Sequence, residues 1–185
     1  MSRIDLVNHE AADGKAKELL DGVKAKIGFA PNLMKALANS PAVLEAYLNF
    51  SGTLGTTLNA KLREQISLVT AEENGCAYCA SAHTAIGKSV GLTEQETIAA
   101  RGGNGNDTKN DAALKFAQAI LSKRGKVSND DIQTVKDAGF NEGDIAEIVA
   151  NVALNIFTNY FNETAQTEID FPAIDFPLAN KAASA

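Results

Sequence analysis

The chain has 185 residues, of which 45% are hydrophobic and 22% charged, and carries a net charge of -6. That composition suits one soluble globular domain over residues 1–185, large enough to bury a core without disulfide staples. Leu, Ile and Val occur only in short groups, too short to span a bilayer, and the acidic balance argues against a phosphate-binding surface, so neither membrane nor nucleic acid is an expected partner.

The opening Met1-Ser2-Arg3-Ile4-Asp5-Leu6 lacks the apolar core of a secretory signal and is too acidic for a transit peptide, which leads to a cytoplasmic address as the expectation. Two cysteines in a reducing compartment point to a catalytic pair. The sequon Asn162-Glu163-Thr164 has no role without secretion. From Glu10 to Ile27 the positions Ala16, Leu19, Leu20, Val23 and Ile27 recur at three and four residues, which predicts an amphipathic helix ended by Gly28-Phe29-Ala30-Pro31. His9, just before it, is expected outside the core. A short helix over 32–38 follows, and Ser40-Pro41 offers a cap and a first-turn proline to a helix carrying Val43, Leu44, Tyr47, Leu48 and Leu54.

Asn59 caps the next helix, which runs to about Glu73. On its wheel Lys61, Gln65 and Glu72 form a narrow polar stripe, and Leu62, Ile66 and Val69 form the main apolar face. Glu64 belongs to neither, falling between Leu68 and Ala71. A carboxylate in that place is either an ordinary solvated surface group or a partly buried one whose raised pKa suits proton transfer.

The following helix, from about Cys76 to Val90 with Gly91 as a left-handed C-cap, holds both cysteines and one of the two histidines. Spacings of three, four and seven residues put Cys76, Cys79 and His83 on one face. A helix N-terminus lowers a thiol pKa, so a Cys-x-x-Cys pair there is suited to redox work with His83 as base. A structural disulfide, two inert buried thiols and a zinc site are the competing readings. Zinc lacks a fourth ligand, since no second Cys-x-x-Cys and no histidine cluster occurs, so neither a metal nor another cofactor is expected.

Thr93-Glu94-Gln95-Glu96 is a capping box opening a short helix, and Arg101-Gly102-Gly103-Asn104-Gly105-Asn106 is a flexible connection without the strand or the Gly-Lys-Ser/Thr of a phosphate loop. Helices are predicted from Asp107 to Lys123 and from Ser128 to Gly139. A last long helix runs from near Asn141 to about Ala165, with Ile145, Ile148, Val149, Val152, Ile156 and Phe157 as its apolar face. Its other side carries Glu147, Asn151, Asn155, Thr158 and Asn162, mostly uncharged polar groups, which suggest an interface or a site wall rather than a solvated face. Phe171-Pro172-Ala173-Ile174-Asp175-Phe176-Pro177 lies in an extended C-terminal arm, at about 167–185, expected to dock on the body or on a neighbouring subunit. No period-two alternation is sustained anywhere, so the fold should be all-α.

The spacing Glu-x11-Cys-x-x-Cys-x3-His formed by Glu64, Cys76, Cys79 and His83 resembles that of the alkylhydroperoxidase D and carboxymuconolactone decarboxylase superfamily, which is all-helical and oligomeric. The likeness is specific over residues 60–90, and Asn155 to Asn162 and Thr167 to Pro172 also look like longer members of the group. It implies a compact alkylhydroperoxidase D-like helical domain and a thiol-dependent peroxidase. Cys79 would attack the hydroperoxide and become a sulfenic acid, Cys76 would donate a proton and close the disulfide, and Glu64 with His83 would relay protons. It further implies an external thiol or dithiol reductant and a homo-oligomer, a trimer or hexamer. One departure is Tyr78, which stands between the cysteines where alkylhydroperoxidase D proper has a histidine, leaving the relay one group short. Two other classes stay open: a lyase decarboxylating a lactone acid, in which a disulfide pair has no obvious work, and a non-enzymatic redox-sensing or assembly protein.

Overall fold

The fold was obtained as a computed structural model and is described for residues 2–178. Among these, nine helices and no strands are present: α1 (Gly14–Ile27), α2 (Asn32–Leu37), α3 (Pro41–Leu54), α4 (Ala60–Glu73), α5 (Ala77–Ser89), α6 (Glu94–Arg101), α7 (Thr108–Ser122), α8 (Asn129–Asp137) and α9 (Glu142–Ala165). Most helix starts follow from local chemistry. Asn59 accepts from the Leu62 amide, and Thr93, Ser128 and Asn141 each close a full capping box, satisfying amides that have no partner inside the helix.

The first helix begins four residues later than its periodicity suggests, because residues 8–11 form a turn closed by Ala11 N–H on the Asn8 carbonyl. That turn buries His9, contrary to its expected place outside the core, and its Nε2 pairs with Asp21 Oδ1 at 2.8 Å.

Two apolar clusters form the core. One gathers Leu62, Ile66, Leu68 and Val69 of α4 with residues of α7, α8 and α9, among them Leu114, Phe116, Val135 and Ile148. The other gathers α1, α2 and the start of α3 around Ala71, Cys76, Tyr78 and Cys79. α4 therefore lies in the middle of the molecule, against α5, α6, α7 and α9, and has almost no solvent face. The stripe of Lys61, Gln65 and Glu72 is not a surface stripe: Gln65 and Glu72 are buried. Glu72 pairs through Oε2 with Arg101 Nε of α6 at 2.8 Å, with side-chain exposures of 0% and 4%. A buried charge is tolerated when paired in this way.

α9 turns its polar side inward. Asn151, Asn155, Thr158, Asn159 and Asn162 are buried, while Val149 and Phe157 of its supposed core face, together with Tyr160, are exposed. The arm docks on its own chain. Asp170 accepts from the Asn32 amide at 2.7 Å and from the Tyr78 hydroxyl at 2.9 Å. Phe171 meets the rings of Phe29 and Tyr78 edge-on. Further along, Arg101 Nη2 donates to the Asp175 carbonyl and lies over the Phe176 ring, while Glu72 Oε1 accepts from Leu178 N–H. The inward asparagines and part of the arm thus find their partners inside the protomer. Residues 179–185 of the expected arm lie outside the described residues. No helix among the described residues is long and apolar enough to cross a membrane.

Candidate active site

α4 and α5 position the four residues singled out by spacing. The turn after α4 is closed by Cys76 N–H on the Ala71 carbonyl, with Gly75 in the left-handed region at φ 71°. This makes Cys76 the N-cap of α5, where its Sγ accepts from the Cys79 amide at 3.2 Å. Cys79 sits in the first turn, and the two free thiols lie 2.6 Å apart, Cys76 donating to Cys79. One turn further on, His83 Nδ1 meets Glu64 Oε2 at 2.7 Å. Glu64 therefore points at α5, and its side chain is 15% exposed against 21% for His83. Gly87 lies at the same contact, where a Cβ would stand at an ordinary 3.7 Å from that of Glu64 and at a tight 3.0 Å from Leu92 Cδ1.

The electrostatics separate the two thiols. The hydrogen bond to Cys79 pushes the Cys76 thiol far above its ordinary value, with burial acting in the same direction. For Cys79 burial works upward, but the hydrogen bonds from Cys76 and Asn162, the charge of His83 and the Asn159 amide outweigh it and hold the thiol at about 7. The His83 imidazole feels burial pulling its pKa down, and the Glu64 charge and hydrogen bond, helped by Cys79, raise it overall. A thiolate at Cys79 beside an imidazolium at His83, with Cys76 still protonated, is the charge state these effects favour near neutral pH.

Cys79, His83 and Glu64 open into one cavity of about 310 Å³, walled by apolar groups that include Met34, Leu48, Tyr78 and Phe171. Cys79 is only 2% exposed, and Cys76, fully buried, is not part of the lining. On the far side of the Glu64–His83 pair lies a small polar pocket of about 70 Å³ bordered by Arg63, Ser67, Asn155 and Thr158. A larger cleft of about 660 Å³ occupies the opposite face of α5, lined by Ser81, Thr84, Lys88 and Arg101, and holds neither thiol. Among the described residues no group of three or more His, Cys, Asp and Glu side chains is arranged to hold a metal ion.

Residues 41–122, from the start of α3 to the end of α7 and including all four of these side chains, match the model of the Carboxymuconolactone decarboxylase family. No curated protein matches the sequence. The fold is similar to that of an alkylhydroperoxidase AhpD core, an uncharacterized peroxidase-related protein from Ralstonia eutropha JMP134, with TM-score 0.83 and 23% identity over 91% of this chain and 92% of that one. It is also similar to an uncharacterized peroxidase-related protein from Silicibacter sp. TM1040, with TM-score 0.81 and 22% identity over 90% and 91% of the two chains. A cysteine-to-alanine variant of the debrominase Bmp8, in complex with 2,3,4-tribromopyrrole, has the same fold at TM-score 0.77 and 19% identity over 91% of each chain. Identities this low establish the alkylhydroperoxidase D-like all-α fold and leave the reaction to be argued from the site.

Two features of this candidate site were not legible as site residues in the sequence. Tyr78 does not face the thiols with its hydroxyl. That group accepts from the Leu33 amide at 3.1 Å and donates to Asp170, and burial pushes its pKa well up, so it ties the arm to the cavity wall. Asn162 is the other: its Nδ2 donates to Cys79 Sγ at 3.2 Å. The signal for it was the uncharged polar face of α9, which turns inward and brings Asn162 to Cys79.

Proposed function

We propose that the protein is a thiol-dependent peroxidase of the alkylhydroperoxidase type, reducing hydroperoxides at Cys79. One observation carries this reading: Cys79, His83 and Glu64 line a single apolar cavity, with Cys76 2.6 Å behind Cys79 and shielded from that cavity. The Cys79 thiolate attacks one peroxide oxygen; the S–O bond forms, the O–O bond breaks, and the departing alkoxide takes a proton from the His83 imidazolium to leave as the alcohol. Glu64 holds His83 in the orientation and charge state for this transfer. Cys76 then attacks the sulfenic sulfur of Cys79, so that the S–S bond forms and the S–O bond breaks, the oxygen leaving as water with two protons, one of them the Cys76 thiol proton. A dithiol from outside reduces the disulfide and restores both thiols.

The cavity takes the apolar part of an organic hydroperoxide. The reaction belongs in the cytoplasm, where a reducing pool keeps the pair cycling, and the chain acts as one domain within a homo-oligomer. The exposed apolar patch of Val43, Phe50 and Phe157 on α3 and α9 is the surface that supports association.

The test is single-turnover stoichiometry. Mild addition of an organic hydroperoxide should consume both thiols, yield one alcohol per protein and leave a Cys76–Cys79 disulfide visible by mass. Retention of both free thiols, or release of one zinc ion per chain by a chelator, would rule the redox reading out. Because a debrominase shares the fold, a brominated pyrrole belongs in the same assay as a competing electron acceptor.

A further inference from the structure

Besides Cys76, one more side chain donates a hydrogen bond to the Cys79 sulfur. Asn162, near the end of α9, donates from Nδ2 to Cys79 Sγ at 3.2 Å, and both residues are only 2% exposed. Among the described residues its Oδ1 is buried without a hydrogen-bond partner. One turn earlier, Asn159 Oδ1 accepts from Asn74 Nδ2 at 2.9 Å, which fixes the orientation of the amide. Its Nδ2 is likewise buried without a partner within bonding range among the described residues, and its influence on Cys79 has the same sign as that of Asn162. An unsatisfied buried amide oxygen costs stability, and an apolar side chain of similar shape would avoid that cost. Packing alone therefore does not explain an asparagine here.

We propose that Asn162 is a further catalytic residue, which donates a hydrogen bond to the Cys79 thiolate with Asn159 beside it, so that α9 supplies the anion stabilisation that Tyr78, turned away between the cysteines, does not. The inference rests on the reading of Cys79 as the nucleophile. An N–H donor favours the thiolate, an acceptor only, over the thiol, and a charge-assisted bond in a buried setting is among the stronger ones. Holding the thiol near ambient pH is also the best compromise between thiolate fraction and intrinsic nucleophilicity.

The experiment compares wild type, Asn162→Leu and Asn162→Asp by the pH dependence of iodoacetamide alkylation at Cys79, located by mass, and by thermal unfolding. In Asn162→Leu the Cys79 pKa should rise from about 7 to about 8 or 9, a roughly five- to fifty-fold loss of thiolate at pH 7, and Asn162→Asp should rise further because a carboxylate repels the thiolate. The peroxide rate of Asn162→Leu should fall in proportion at pH 7 and recover toward wild type at pH 9, with a Tm no lower than that of wild type. A Cys79 pKa that stays near 7 in Asn162→Leu overturns this role and leaves the nucleophile reading intact. A large drop in Tm, or failure of Asn162→Leu to fold, overturns it too by making the amide structural. A wild-type Cys79 that titrates at or above the ordinary 9.0 removes both the role and the reading.

Discussion

Replacing Glu64 by Gln tests the relay with almost no change of shape. The carboxylate lies 2.7 Å from His83 Nδ1, and both side chains are mostly buried, so solvent screens the pair only weakly. A hydrogen bond to a charged group of this kind contributes about 1.5–3 kcal/mol. Glu64 is what raises the His83 pKa against the downward pull of burial. Gln leaves burial in charge, so the imidazole should titrate below its ordinary 6.5 instead of above it. The sign in stability follows. A raised folded pKa stabilises fully below the unfolded value of 6.5 and the gain is lost as pH rises through the folded value, so wild type should exceed Glu64→Gln by about 1.5–3 kcal/mol in mildly acid buffer and by less at alkaline pH. With the imidazolium depleted, alkoxide protonation and thiolate formation both suffer, and the peroxide rate at pH 7 should fall about 10²- to 10⁴-fold. Proton NMR titration is simple because the chain has only two histidines, His9 and His83. An unchanged His83 titration in Glu64→Gln, or a wild-type peroxide rate, would refute the relay.

Glu72→Gln should destabilise the fold by about 3–5 kcal/mol in urea titration, since it strands the Arg101 guanidinium in the interior, and should speed amide exchange at Leu178, whose N–H Glu72 also accepts. Asp170→Ala should cost about 1–3 kcal/mol by leaving the Tyr78 hydroxyl and Asn32 amide without their acceptor; because Phe171 then loosens at the cavity wall, the KM for bulky hydroperoxides should change more than that for hydrogen peroxide. In Cys76→Ser the sulfenic acid at Cys79 should persist after peroxide treatment and be captured by dimedone, whereas in wild type the disulfide forms first. Phe157→Glu, on the exposed apolar patch, should lower the mass seen by light scattering, and a monomeric wild type would end the oligomer proposal.

The helix starts at Asn59, Thr93, Ser128 and Asn141 were legible because a cap involves residues three positions apart and depends on little else. The meeting of Glu64 with His83 was expected through the spacing shared with the alkylhydroperoxidase D and carboxymuconolactone decarboxylase superfamily, since the wheel alone left Glu64 between a solvated and a partly buried place. What could not be read depends on distant packing. Nothing local distinguishes Glu72, paired with Arg101 29 residues away, from a surface glutamate, and its wheel position beside Lys61 suggested solvent. Tyr78 finds Asp170 across 92 residues, so its position between the cysteines looked like a missing relay group rather than an anchor for the arm. The asparagines of α9 lay between these cases. Their lack of charge marked the face as unusual, but only the placement of α9 against α4 and α5 showed that Asn155 reaches Ser67 and Asn162 reaches Cys79. His9 was misplaced because burial of a terminal turn depends on the Asp21 carboxylate that receives it.

The most direct test of the central claim is steady-state consumption of an organic hydroperoxide with a chemical dithiol as reductant, comparing wild type with Cys79→Ser. Wild type should turn over many equivalents of peroxide, each producing one alcohol, while Cys79→Ser stays at the rate of the dithiol alone. Equal rates for the two proteins, or a wild type no faster than the dithiol by itself, would contradict the assignment of Cys79 as a peroxidase nucleophile.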